Sequence, residues 1–243
     1  MLSPATVDAL DGYWVAWLGV PRSRLRASRP LAVPHAGLGD YAGMYAQAFG
    51  GAPIVSLPPA LLERYGPDAA RAAGGGLVDD ERWRAVFGER LEAVVGPAVI
   101  AYADAGTLRP FGVDAEVRLL DEADRPALRA LRAAVSPEAW EHGGSTLGDA
   151  PVAGVFADGA LAAVSGYEVW GRRIAHLAVV TRPDLRGRGL GAAAVALAAR
   201  TALDAGLVAQ YRTLASNTSS MAIARRLGFV GYAASLAVRL RGE

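Results

Sequence analysis

No cysteine and no lysine occur among the 243 residues, so all 25 basic side chains are arginines. Each absence removes a class of chemistry. Without lysine there is no Schiff-base amine and no Walker phosphate loop; without cysteine there is no thiol nucleophile, no iron–sulfur ligation and no disulfide. Histidine is scarce as well: His35, His142 and His176 stand far apart and never at the spacing of a local zinc motif, so no metal site is expected. A net charge of +1 lacks the basic excess that a nucleic-acid partner calls for. Asp8 and Asp11 stand where a basic leader would, and no run of 18 apolar residues follows. The expectation is a cytoplasmic chain with neither nucleic acid nor membrane as partner.

What is present is apolar and small. Hydrophobic residues make up 52% of the chain, many of them alanine, so helices should pack closely rather than around large side chains. The length allows two modest domains, each with a core of its own. In the first hundred residues short helical patterns alternate with Gly- and Pro-rich breaks; Ile54–Leu57 predicts a buried strand, Pro59–Arg64 a helix start and Val99–Tyr102 a closing strand. The turn-rich Asp104–Thr107, with Pro110 and Gly112, reads as a connector. The expected division is therefore an N-terminal α+β region over 1–112 and a second domain over 113–243.

The second region is more regular. A strand over Glu116–Leu120 precedes a helix from Asp124, with Leu128, Leu131 and Val135 at helical spacing and Asp121 or Asp124 as its cap. Val152–Phe156 and Leu161–Trp170 flank Asp158-Gly159, a hairpin signal. Ile174–Thr181 reads as the next strand, Gly191–Ala205 as an alanine-rich helix closed by Gly206, and Leu207–Leu214 as another strand. A short helix over Ser219–Leu227 and a strand over Tyr232–Leu240 complete the pattern.

Chemistry concentrates where the strand ending Val179-Val180-Thr181 meets Arg186-Gly187-Arg188-Gly189-Leu190-Gly191-Ala192. Strand, Gly-rich turn and helix start in that order suit an anion. Free N–H groups at the helix N-terminus point outward, the macrodipole favours negative charge, and glycines let a pyrophosphate approach the backbone. Gly187, Gly189 and Ala192 also fit a dinucleotide fingerprint, but that fold wants an acidic residue at the end of the next strand. Here that strand ends in Leu214-Ala215-Ser216-Asn217, which ranks it behind, so a nucleotide-dependent oxidoreductase stays as a third reading that NAD titration would test.

Arg186, Gly189 and Gly191 match the signature [QR]-x-x-G-x-[GA], and Asn217 opens a segment ending in Leu227-Gly228-Phe229. Together these resemble the GNAT superfamily of acyl-CoA-dependent acyltransferases over roughly residues 115–240. The resemblance implies an α/β (α+β) fold, a mixed twisted sheet flanked by helices and splayed between the strands at 174–181 and 207–214, with the N-terminal α+β region as an addition. It implies acetyl-CoA or another short acyl-CoA as cofactor, held by Val179, Val180 and Thr181, by the loop Arg186 to Ala192, and by Asn217, which could equally serve as a helix N-cap. Gly166–Trp170 and Gln210–Thr213 also look like a subgroup of bacterial GNAT-like proteins, a likeness that implies no acceptor.

An alkylamine acceptor has a pKa near 10.4, and neutralising it at neutral pH costs about 4 to 5 kcal/mol, so a base or a water relay is needed. Glu168, in an apolar strand where desolvation would raise its pKa, and His176, in the neighbouring strand with the right intrinsic pKa, are the candidate catalytic residues. Trp140-Glu141-His142 falls where the family's acceptors commonly bind. The family's usual thiolate-protonating tyrosine has Ala224 in its place. The expected activity is direct acyl transfer to a small-molecule or peptide amine in a ternary complex, with a homodimer as an open option. The alternative is an acyl-CoA-binding sensor that does no chemistry.

Overall fold

The computed structural model describes residues 1–77, 80–144 and 150–241. In chain order its elements are α1 (Pro4–Leu18), β1 (Leu31–Pro34), β2 (Met44–Ala48), β3 (Ile54–Leu57), α2 (Pro59–Ala73), α3 (Asp80–Phe87) and β4 (Leu91–Ala103). These are followed by β5 (Glu116–Leu119), α4 (Arg125–Ala134), α5 (Pro137–Gly144), β6 (Ala153–Ala157), β7 (Ala160–Trp170) and β8 (Ile174–Thr181). The chain finishes with α6 (Leu190–Asp204), β9 (Val208–Leu214), α7 (Thr218–Arg226) and β10 (Val230–Leu240). No helix among the described residues is long and apolar enough to cross a membrane.

The chain folds into two compact units. One comprises Pro4–Ile100, Thr213–Asn217 and Gly231–Glu243; the other comprises Met1–Ser3, Ala101–Arg212 and Thr218–Val230.

In the first unit the strand order is β1-β3-β2-β10-β4, with β1 parallel to β3 and β2 antiparallel to both β3 and β10. One core joins Met44, Ala46, Val55, Leu57, Leu236 and Val238 of the strands to Ala69 and Ala73 of α2 and to Trp83 and Phe87 of α3. Each buried Leu, Val or Phe of this kind contributes about 1.5 to 3 kcal/mol from apolar burial. α1 carries a separate aromatic contact, Trp14 against Tyr13, Trp17 and Phe49. Asp11 of α1 is nearly buried and accepts from both guanidinium nitrogens of Arg26, at 2.8 Å each, and from the Tyr232 hydroxyl. Burial works to raise the Asp11 pKa, but the hydrogen bonds from Arg26 and Tyr232 outweigh it and hold the carboxyl below its ordinary value.

The second unit has the order β9-β8-β7-β6-β5, antiparallel throughout except for a parallel β8–β9 pair. Mixed sheet and flanking helices are the architecture the sequence predicts. Asp158 and Gly159 take φ of 53° and 75°, the positive values that a two-residue hairpin turn between Ala157 and Ala160 requires. Val155, Ala162 and Ala163 of the strands pack against Leu190, Ala193 and Ala194 of α6. Leu161, Val164 and Val180 instead pack with Leu131 of α4 and Trp140 of α5. Asp121 caps the turn that leads into α4, its carboxylate accepting from Ala123 N–H at 2.8 Å while Asp124 accepts from Asp121 N–H at 2.9 Å. Asp124 is also clamped by both terminal nitrogens of Arg118, at 2.5 and 2.7 Å.

Two differences from the sequence reading stand out. The expected strand over Val99–Tyr102 is the end of the much longer β4, which runs through Gly96-Pro97 from Leu91. α1, β1, β2 and α3 are elements that the mixed patterns of the first region did not resolve.

Candidate functional site

At the end of β8 the chain turns sharply and begins α6, and the glycines explain how. Gly187 and Gly189 have φ of 80° and 83°, a region costly for side chains with a Cβ. Gly189 occupies the N-cap position of α6 with no side-chain cap, so the first-turn N–H groups have neither an intrahelical acceptor nor a capping side chain. A Cβ on Gly191 would stand 2.7 Å from Thr181 Oγ1, so the first turn of α6 lies directly on the end of β8. Buried Leu190 anchors the turn in a cluster with Leu185, Phe111 and Val113, and the Arg226 guanidinium lies 4.5 Å from the Phe111 ring centroid.

The arginines around this turn differ in their engagement. Arg188 pairs with Asp158 of the β6–β7 turn at 2.9 Å, and Arg182 grips Asp184 through two nitrogens. The Arg182 hydrogen bond holds the Asp184 carboxyl below its ordinary value. Both pairs are largely exposed, which makes them weak stabilisers and cheap to rearrange around an incoming anion. Arg186, Gly187 and Arg188 are themselves exposed.

The parallel ladder between β8 and β9 pairs Ile174 with Val208, Ala175 with Ala209 and His176 with Gln210, and there it stops. β8 runs on through Leu177–Thr181, still paired along its other edge with β7. The strands therefore fork after His176, leaving the β9-facing edge of Val179, Val180 and Thr181 outside the ladder. On the α5 side, a Cβ on Gly143 would come within 2.5 Å of the Val179 carbonyl oxygen, so the helix backbone closes on the forked stretch.

His176 sits on the last rung before the fork. Its Nδ1 is 2.8 Å from Gln210 Oε1, and Gln210 Nε2 donates to the Tyr102 hydroxyl oxygen at 2.6 Å. Trp170 stacks on the imidazole, with ring centroids 4.1 Å apart and planes inclined by 17°. Burial pushes the His176 pKa down; the Gln210 hydrogen bond and Glu168 work upward and Arg212 downward, and the net result lies below the ordinary value. The ring is consequently neutral at neutral pH.

Glu168 is the register partner of His176 on β7, so the two residues share a face of the sheet. The desolvation expected for Glu168 is not found, because the carboxylate is exposed, as is neighbouring Val169 at 47%. Both lie near the end of the β7–β8 hairpin. Asn217 is exposed just before α7, and its N–H donates to Leu214 O at 3.0 Å. Trp140 packs in the core with Val180 and the helical Glu141 is exposed, while the side chain of His142 lies outside the described residues.

Three participants carry no sequence signal of their own. Tyr102 and Gln210 are polar residues in apolar strands, 108 positions apart, and only the fold brings them to His176. Tyr211, the first β9 residue past the fork, is buried, packs on Phe229 with centroids 5.5 Å apart and hydrogen-bonds Ser220 of α7. Burial raises its pKa against the effect of that bond. Ser220 lies one helical turn from the buried Ala224.

Residues 117–229 match the model of the acetyltransferase (GNAT) family. Among solved structures, an acetyltransferase of the GNAT family from Colwellia psychrerythraea aligns over 99% of this chain and 98% of its own, with 13% identity and a TM-score of 0.54. A GCN5-related N-acetyltransferase from Kribbella flavida aligns over 62% of this chain and 60% of its own, with 22% identity and a TM-score of 0.50. A GNAT-family chain from Novosphingobium aromaticivorans, 28% identical with a TM-score of 0.47, aligns over 61% of this chain and 66% of its own. The alignments to these last two chains thus span less than two thirds of their lengths. None of the curated proteins compared matches the chain. Forked sheet, glycine turn at a helix start and family match converge on one statement: the chain carries, over residues 117–229, a domain of the GNAT acetyltransferase family.

Proposed function

We propose that the protein transfers a short acyl group, acetyl in the simplest case, from acyl-CoA to an amine. The observation that carries this reading is the fork. β8 leaves its ladder with β9 at His176 and runs, with one backbone edge unpaired, straight to a glycine turn at the N-terminus of α6. An extended pantetheine arm can pair with the open edge as a strand would, while the α6 N–H groups accept a pyrophosphate where Gly187 and Gly189 remove the side chains. A Cβ position on Gly187 meets nothing within 4 Å, so the turn has room over it for a close-lying anion. Each hydrogen bond to a charged oxygen contributes about 1.5 to 3 kcal/mol. Arg186 and Arg188 add positive charge, and Asn217 stands exposed just before α7.

Acyl-CoA supplies an activated thioester, and the protein supplies the proton transfers. His176 Nε2 takes the proton that the amine loses as nitrogen bonds to the acyl carbon. Tyr211 gives a proton to sulfur as the C–S bond breaks, so that the products are an amide and a free thiol. Supporting Tyr211 are its burial, a pKa pushed up so that the phenol keeps its proton, and a hydroxyl held by Ser220 one turn from Ala224. His176 is preferred over Glu168 because it is half-buried, oriented by two neighbours and neutral at working pH. Exposed Glu168 is suited instead to attracting a cationic amine toward that base.

The test is thiol release from acetyl-CoA across a panel of amines. Amine-dependent release supports the reading. Tight acetyl-CoA binding with no turnover on any amine refutes it and favours a sensor.

A further inference from the structure

The imidazole of His176 is constrained in three independent ways. The last rung of the β8–β9 ladder fixes its backbone, Trp170 fixes its plane by stacking, and Gln210 fixes its Nδ1 edge. The third constraint has chemical content. An amide oxygen has only lone pairs to offer, so Gln210 Oε1 facing Nδ1 at 2.8 Å requires a proton on Nδ1. The other end of the amide is engaged by Tyr102, whose hydroxyl oxygen receives the Gln210 Nε2–H at 2.6 Å. Gln210 is fully buried, and the turned-over amide would need the Tyr102 hydroxyl to reverse and donate to Oε1, so the direction of the Tyr102 O–H selects which end of the amide faces Nδ1.

We propose that Gln210 is a positioning residue which, anchored by Tyr102, holds His176 in the tautomer with the proton on Nδ1 and the lone pair on Nε2. This rests on the reading of His176 as proton acceptor, and it specifies which nitrogen accepts. Neutral imidazole has two tautomers, and only one presents a base at Nε2; the wrong tautomer offers an N–H there and cannot take a proton. The charged groups acting on the ring are Glu168 from β7 and Arg212 from β9. α5 also packs on β8 and carries exposed Glu138 and Glu141 together with His142.

The experiment reads the ring directly, in the full chain without cofactor or acceptor, by ¹⁵N NMR of labelled histidine. The wild type should show the pattern of a ring protonated at Nδ1. Gln210→Glu, which places a carboxylate on Nδ1, should raise the His176 pKa by about one unit or more. The acidic limb of the pH–rate profile should move upward by the same amount. Tyr102→Phe, which keeps the ring and removes only the anchor, should yield a mixture of tautomers and lower kcat/KM while leaving acetyl-CoA affinity in place. That second variant decides the matter if the first fails to fold. A wild-type ring protonated at Nε2, or a tautomer unchanged in Tyr102→Phe, overturns the inference. If tautomer and titration behave as described but no amine is ever acylated, Gln210 still orients His176 and it is the acyltransferase reading that fails.

Discussion

The Thr107 carbonyl oxygen stands 2.1 Å from where a Cβ on Gly228 would be, and Gly228 has a φ of 82°. The glycine is therefore required twice, once by the backbone turn that ends α7 and once by the neighbouring chain pressed against it. The adjacent Arg109 N–H donates to Leu227 O at 2.9 Å and keeps the two segments together. Gly228→Ala should accordingly destabilise the fold by well over ~1 kcal/mol, more than a positive φ alone imposes. Urea denaturation measures this, and a midpoint within error of wild type would show that the Thr107 segment yields freely.

At the α6 turn, Gly189→Asp should abolish acetyl-CoA binding while leaving most of the fold. Aspartate tolerates a positive φ better than most residues, so the main effect is a negative charge added at the N-terminus of α6, on a side chain that must also find room beside Phe111 and Val113. Calorimetry gives the affinity and circular dichroism the fold. Unchanged affinity would remove the anion site from this turn.

The proton assignments separate by pH. Because the His176 pKa lies below its ordinary value, the wild-type acidic limb of kcat/KM should fall below pH 6.5, the unperturbed histidine value. His176→Gln should lower kcat by about 10²- to 10⁴-fold and remove that limb. Glu168→Gln should keep the limb and raise KM for cationic amines. The reverse pattern would make the glutamate the base.

Tyr211→Phe should lower kcat with little change in acetyl-CoA affinity, and the loss should shrink with thioesters whose leaving thiol has a lower pKa. An equal loss for every leaving group would assign Tyr211 a packing role against Phe229.

Arg118 holds Asp124 at a pKa of about 2, against an unfolded value near 3.9. A carboxylate depressed in the folded state contributes stability above its unfolded pKa and loses it as pH falls through the folded one. Acid unfolding between about pH 4 and pH 2 should thus be less steep in Arg118→Leu than in wild type. Parallel curves would show that the clamp contributes nothing to acid sensitivity.

Much of the second unit was legible because its signals are local. Asp158-Gly159 prescribes a turn, Gly206 and Gly228 stop helices, and the apolar runs of β6 to β8 match strands buried on both faces against different helices. Asp121, one of two caps expected for α4, instead caps the short turn before it, with Asp124 completing a reciprocal pair three residues on. The first region resisted for the same reason inverted. Its β1, β2 and β3 are short, and β2 is completed only by a strand distant in sequence, where Ala234–Val238 pairs with Met44–Ala48. The glycine turn was read correctly as a turn onto a helix, since two positive-φ glycines leave little else. The environment of His176 could not be read, because Gln210 and Tyr102 acquire meaning only once β8 and β9 pair in one particular register. Glu168 shows the converse hazard, because an apolar neighbourhood in sequence did not translate into cover in space.

The alanines of α6 have a mechanical consequence. Ala193, Ala194, Ala198, Ala199 and Ala202 are all buried, so the helix lies against its sheet at close range with no long side chains to absorb a shift. Two methyl groups' worth of extra volume at Ala194, buried completely, cannot be dissipated where it is added. The helix must move as a rod, and the glycine turn rides on its end. Ala194→Val should therefore weaken anion capture from a position one turn deep, making the helix a transmission shaft whose length of travel is set by side-chain volume.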